Sequence, residues 1–146
     1  LLLSMVMRYQ RIMCLDYGDA RIGVAFSDLL GLTANRYEIY QSQDIDKDIE
    51  YLTNLAKSNN VSLIVIGMPY SLDGSENQRT QITKFFGQKL SDFSGIKVVF
   101  EDERLSSVEA EEMLKDRKIP PTKRKQYLDM FSAAVILESY LKSKGD

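Results

Sequence analysis

The sequence predicts an α/β domain built on a central mixed five-stranded β-sheet, and three observations carry that prediction. Before residue 41, short apolar or alternating runs are separated by turn signals, as in consecutive antiparallel strands. From residue 44 onward, segments with helical period alternate with apolar runs. One of those runs, Val61-Ser62-Leu63-Ile64-Val65-Ile66, is nearly continuous aliphatic, the mark of a strand buried on both faces. The resulting order is β-β-β-α-β-α-β-α-α, which implies helices on the faces of the sheet.

Taken in order, residues 8–15 read as the first strand and 22–26 as the second, joined by a tight turn at Gly18. Residues 36–40 alternate polar and apolar and fit a third strand, partly solvated and antiparallel to its neighbour. Residues 44–58 place Ile45, Ile49, Leu52, Leu55 and Ala56 on one helical face, and Ser58-Asn59-Asn60 ends that helix. The aliphatic run at 61–66 belongs at the centre of the sheet, parallel to the first strand. After the loop at 67–76, Ser75 can cap a helix to about Leu90 with Ile82, Phe85, Phe86 and Leu90 on its core side. Residues 96–100 form the last strand and run straight into Glu101-Asp102-Glu103-Arg104. Ser106 or Ser107 caps a helix through Lys115, with Glu109 completing a capping box for Ser106. Ile119-Pro120-Pro121 breaks the chain, and a final helix at 123–142 buries Tyr127, Met130, Phe131, Ala134, Leu137 and Leu141.

The chain has 146 residues, enough for one domain with a real core. Residues 8–146 read as that domain, and the apolar opening at 1–7 reads as a disordered extension, too short to span a bilayer, with Met7 as the natural start. A net charge of -2 supplies no global footprint for nucleic acid, so any such binding depends on a local patch. The one cysteine, Cys14, sits inside an apolar strand, reads as a small core residue and suits the reducing cytoplasm. The absence of histidine excludes imidazole bases, histidine triads and histidine metal sites.

In open α/β sheets, sites form at the carboxyl ends of parallel strands. Asp16 ends the first strand, the 67–74 loop follows the fourth, and Asp102-Glu103 follows the fifth. Asp129 lies in the first turns of the last helix, where Ser132 and Ala133 are small enough to let that helix approach the sheet. Carboxylates without histidine are hard oxygen ligands for Mg²⁺ or Mn²⁺, cations that polarise phosphoryl groups and activate water. Taken singly, each acid is better explained as a cap, a solvated strand end or a partner of Arg21 or Arg104. Gathered at one sheet edge, they favour a metal site. Arg79 and the glycine-bearing loop before it can meet a phosphate, although no Walker motif is present. Lys115, Arg117, Lys118, Lys123, Arg124 and Lys125 form the one basic concentration, suited either to solvent or to a nucleic-acid backbone.

At this point four segments resemble the YqgF, or RuvX, family, described as Holliday junction resolvases and as nucleases maturing pre-16S ribosomal RNA. They are LDYGDARIGVAFSD at 15–28, VIGMPYSLDGS at 65–75, EDERLSSVEAEEML at 101–114 and LDMFSAAVILESYL at 128–141, in family order over nearly the whole chain. The resemblance implies an RNase H-like fold and metal-binding acids at Asp16, in the Asp102-Glu103 pair and at Asp129. Strand alternation sends Asp102 and Glu103 to opposite sides and leaves both open as ligands. The chain departs from the family at Asp19-Ala20, where many relatives carry Thr-Lys, and at Met130-Phe131, bulkier than usual after the helix aspartate.

The leading reading is therefore a Mg²⁺- or Mn²⁺-dependent nuclease, acting as a monomer or homodimer on pre-rRNA or branched DNA. Asp16, Asp102, Glu103 and Asp129 would be its catalytic and metal-binding acids. Arg21, Arg79, Arg104, Lys123, Arg124 and Lys125 would position the substrate backbone. The alternatives are a non-catalytic RNA-binding ribosome-assembly module and a phosphotransferase-like ATP binder. The latter fold needs two such domains, and this chain supplies one.

Overall fold

The structure, a computed structural model, describes residues 10–104 and 106–145, with backbone only at 106, 107, 113, 125, 126, 129, 130 and 145. The expected extension at 1–7 lies outside the described residues. The elements are β1 (Arg11–Tyr17), β2 (Arg21–Ser27), β3 (Ala34–Gln41), α1 (Ile45–Ser58), β4 (Val61–Met68), α2 (Gln78–Ser94), β5 (Lys97–Asp102), α3 (Ser106–Asp116) and α4 (Pro121–Gly145).

The five strands form one sheet in the order β3-β2-β1-β4-β5. The first three strands are an antiparallel meander, whereas β4 pairs parallel with both β1 and β5. This places β1 and β4 inside the sheet, as their apolar runs require. Period-two alternation then divides the core in two. Met13, Leu15, Ile64 and Ile66 face α1 and α2, meeting Ile49, Leu52, Phe86 and Leu90. Ile12, Cys14 and Val65 face α4, meeting Ala133, Ala134, Ile136 and Leu137. Helix α3 packs on α4 through Ala110 and Leu114. Sandwiched between α3 and the sheet, α4 buries every position from 131 to 137. No helix among the described residues is long and apolar enough to cross a membrane.

Three details differ from the sequence pattern. Helix α2 starts at Gln78 and is capped by Asn77, which accepts from the Thr80 amide while the Thr80 hydroxyl accepts from the Asn77 amide. Ser75, the expected cap, instead donates its amide and hydroxyl to Asp73 within the loop. The buried stripe of α2 runs through Thr80, Thr83, Phe86, Gly87 and Leu90, so Ile82 and Phe85, expected in the core, are 39% and 63% exposed. Helix α4 begins at Pro121, because a proline in the first helical turn forfeits no hydrogen bond.

One buried acid holds β3 to α1. Asp48 is 2% exposed and accepts hydrogen bonds from the Tyr40 hydroxyl at 2.8 Å, the Ser42 hydroxyl at 2.5 Å and the Gln43 amide at 2.9 Å. Asp48→Ala leaves these donors without their acceptor, and urea denaturation should show a loss of about 3 kcal/mol.

Candidate active site

Asp16 lies within β1, one residue further into the sheet than its apolar run suggested, and pairs with Gly23 of β2. Alternation from Ile12 and Cys14 carries it to the α4 face. The turn that follows is tight. The Gly18 amide donates to the Arg21 carbonyl at 3.1 Å, and a Cβ at Gly18 would stand 2.8 Å from that oxygen. Any side chain there would force the turn after Asp16 to shift.

Glu103 reaches Asp16 from the other side. Its amide donates to the Met68 carbonyl at 3.2 Å, continuing the β4–β5 pairing one step past β5. Its carboxyl lies above Gly67, where a Cβ would be 2.7 Å from Oε2 and 2.6 Å from the Ile136 Cδ1. The absence of a side chain at Gly67 is therefore what lets Glu103 lie over β4. There it hydrogen-bonds Asp16. Burial first, then the negative charge of Asp16 and that hydrogen bond, push the Glu103 carboxyl up to about 9. The buried Cys14 thiol is also raised, by burial first and then by the charges of Asp16, Glu103 and Glu101, so these acids converge over one stretch of the sheet.

The raised Glu103 sets a direction for stability in the absence of metal. From its ordinary value of 4.5 up to about 9, the folded chain holds a proton that the unfolded chain has released. Stability is then expected to fall as pH rises through that window. Thermal melts in EDTA between pH 5 and pH 8 should show the decline, and Glu103→Gln should flatten it.

The other acids differ in placement. Asp102 accepts from the Arg104 amide at 3.0 Å and from the Arg104 Nε at 2.9 Å. Partial burial favours its protonated form, but these bonds and the guanidinium charge outweigh it and hold the carboxyl below the usual range. Of the acidic pair, Glu103 is thus the member that meets Asp16. Position 129 lies on α4 one turn before Ala133, which packs on the sheet beside Cys14, but its side chain is outside the described ones. Among the described residues no group of three acids or cysteines forms a metal cage, and the described part of the site is the Asp16–Glu103 pair.

The basic residues fall into two groups. Arg79 reaches from α2 to the β1–β2 turn, donating to the Tyr17 carbonyl at 2.7 Å and to Asp19 at 2.8 Å, with its guanidinium 5.7 Å from the centre of the Tyr17 ring. Arg21 opens β2 at the same turn. Arg104 bridges Asp102 to the Leu72 carbonyl at 3.2 Å and ties the loop after β4 to the end of β5. The remaining group lies where α3 turns into α4: Lys123 is exposed, Arg124 donates to the Ile119 carbonyl at 3.2 Å, and the Lys125 side chain is outside the described ones. Sequence reasoning missed Gly67 as a site residue, although a glycine ending the aliphatic run of β4 is the available signal for a close approach.

The RuvX family model, described as Holliday junction resolvase, matches residues 10–143. A protein of Carboxydothermus hydrogenoformans named "Putative pre-16S rRNA nuclease" is 41% identical over 135 residues, covering 92% of this chain and 98% of its own. A protein of Halothermothrix orenii with the same name is 42% identical over 131 residues, covering 90% and 94%. In structure, the chain is similar to Thermus thermophilus RuvC in complex with a Holliday junction, at TM-score 0.61 and 11% identity over 93% of this chain and 96% of that one. It is also similar to the Fowlpox virus resolvase bound to junction DNA, at TM-score 0.58 and 13% identity over 94% and 100%. These likenesses show the RNase H-like fold expected from the four segments. The family match over residues 10–143 and the relatives at 41% and 42% identity place this chain in the RuvX family.

Proposed function

We propose that this chain is a divalent-metal-dependent nuclease that hydrolyses phosphodiester bonds in structured nucleic acid, and that its task is 5′-end maturation of pre-16S rRNA in the cytoplasm. The observation that carries the reading is the Asp16–Glu103 pair, held together over a glycine at the carboxyl ends of β1 and β4. Two carboxyls brought together in a half-buried position repel each other unless a proton or a cation lies between them. Their oxygen donors, with no histidine in the chain, fit Mg²⁺ or Mn²⁺. Asp16, Glu103 and Asp129 would hold the ion, which when bound polarises the phosphoryl group and lowers the pKa of water.

The chain's own residues supply the rest. Arg79 presents positive charge at the edge of the acid pair, anchored by the Tyr17 carbonyl. Its contact with Asp19 is exposed, with the Asp19 side chain 91% accessible, and such surface pairs contribute about 0–1 kcal/mol, so a phosphate oxygen can take the place of Asp19. Asp19 thus moderates the grip that a lysine in this turn would strengthen. Lys123, Arg124 and Lys125 supply a salt-dependent hold on the flanking backbone. Arg104 contributes by fixing the loop after β4.

The names of the curated relatives favour ribosomal RNA over branched DNA as substrate. Purified protein with Mn²⁺ is tested on a pre-16S precursor and on a four-way DNA junction. Cleavage of the precursor near its mature 5′ end, with the junction left whole, is the expected result. Cleavage of the junction alone would establish the resolvase reading instead, and binding without cleavage of either would point to an assembly module.

A further inference from the structure

A cleft of about 460 Å³ opens between the end of β5 and helices α3 and α4. Its volume lies in the range of sites for small organic groups. Leu72, 81% exposed, forms an apolar lip, and Val135 and Ile136 of α4, 6% and 1% exposed, close its floor. Ile136 also lies beside the Glu103 carboxyl above Gly67, and Asp102 of the lining precedes Glu103 in the chain, so the cleft adjoins the acid pair. Its polar wall holds Glu101 and Glu109 and the Arg104–Asp102 ion pair at 2.8 Å.

This lining selects by charge and by shape. With Arg104 and Asp102 paired, the charge that remains on the wall is negative and repels a phosphate. A flat, uncharged group rich in hydrogen-bond donors suits it, with one face against the Leu72 side chain. Nucleobases have that form, and unpaired bases splayed from a strand are read along their Watson–Crick edges. Among them, guanine carries two adjacent donors, N1–H and N2–H, that match the two carboxylates of the wall. Adenine and cytosine offer only an amino group on that edge, and uracil only an imino group. Glu101 is already oriented, since the Ser139 hydroxyl donates to its Oε2 at 2.8 Å.

We propose that this cleft receives one unpaired guanine beside the phosphodiester held at the Asp16–Glu103 pair, and that Glu101 and Glu109 accept its Watson–Crick donors. The inference rests on the nuclease reading and adds to it a base preference next to the cut. An amide in place of either carboxylate turns one of its two acceptors into a donor, which opposes the donors of guanine.

The test is a binding measurement in EDTA, so that it does not depend on cleavage. Fluorescence anisotropy compares short single-stranded oligouridylates that carry one central guanosine, inosine or adenosine, or none. Wild-type protein should bind the guanosine strand at least about fivefold more tightly than the all-uridine strand, the lower end expected for a bidentate base contact. Inosine, lacking the 2-amino group, should fall between them. Glu109→Gln, on the exposed first turn of α3, and Glu101→Gln should each bring the guanosine preference close to one without weakening all-uridine binding. Equal wild-type affinity for all strands, or a preference that survives both substitutions, overturns the assignment of the cleft. Failure to bind any strand overturns the assignment of the cleft, while the nuclease reading is decided separately by Mn²⁺-dependent cleavage of the structured precursor.

Discussion

Asp16→Asn should lower metal-dependent cleavage by more than about 100-fold, since even residues supporting a metal ligand commonly cost 10- to 100-fold. The substitution keeps the shape of the side chain and its ability to hydrogen-bond Glu103, so β1 and its pairing with β2 and β4 are retained. What it removes is the negative charge that would attract the cation. That charge is also the second cause of the raised Glu103 carboxyl, after burial. In Asp16→Asn the Glu103 carboxyl should therefore move down toward its ordinary range, although burial still holds it up. Single-turnover cleavage with Mn²⁺, calorimetric Mn²⁺ binding and a melting curve as folding control measure these effects together. Equal cleavage by the wild type and the variant would remove Asp16 from the site.

Gly67→Ala is the second large effect, and it tests geometry rather than charge. The added methyl would stand 2.6 Å from the Ile136 Cδ1 and 2.7 Å from the Glu103 Oε2. Both are ends of side chains, so the backbone of β4 need not move. Ile136, however, is 1% exposed and packed between α4 and the sheet, and has little room to yield. Glu103 is half-buried at a strand end and gives way first. Overpacking of this kind costs about 1–3 kcal/mol, and a displacement of about 1 Å at a reacting centre can cost about 100-fold in rate. The double variant Gly67→Ala, Ile136→Val relieves the first contact and leaves the second. It should regain stability in urea without regaining cleavage. Full activity in Gly67→Ala would show that the position of Glu103 over β4 is not needed.

Much of the candidate site was legible before folding because its parts sit at breaks in periodicity. Asp16 interrupts an apolar run, and Asp102-Glu103 follows the β5 run directly. Such breaks mark strand ends, and parallel strands bring their carboxyl ends together. The choice between Asp102 and Glu103 was not legible, because it depends on where the chain leaves the pleat and on which partner each acid meets. The Met68 carbonyl and the space above Gly67 draw Glu103 toward Asp16, while Arg104 draws Asp102 away. The misplaced start of α2 has a similar cause: Ser75 and Asn77 are both competent caps, and Asp73 engages the first.

The sequence by itself determined the order of elements, the parallel pairing at the centre of the sheet and the edge at which the acids gather. These follow from hydrophobic period and turn chemistry, which act over a few residues at a time. Only the tertiary structure decided that Glu103 joins Asp16, that Gly67 makes room for it, that Arg79 is clasped by Asp19, and that a cleft with two glutamates on its wall lies beside the pair. Each of these depends on atoms far apart in the chain, and no local period reports on them.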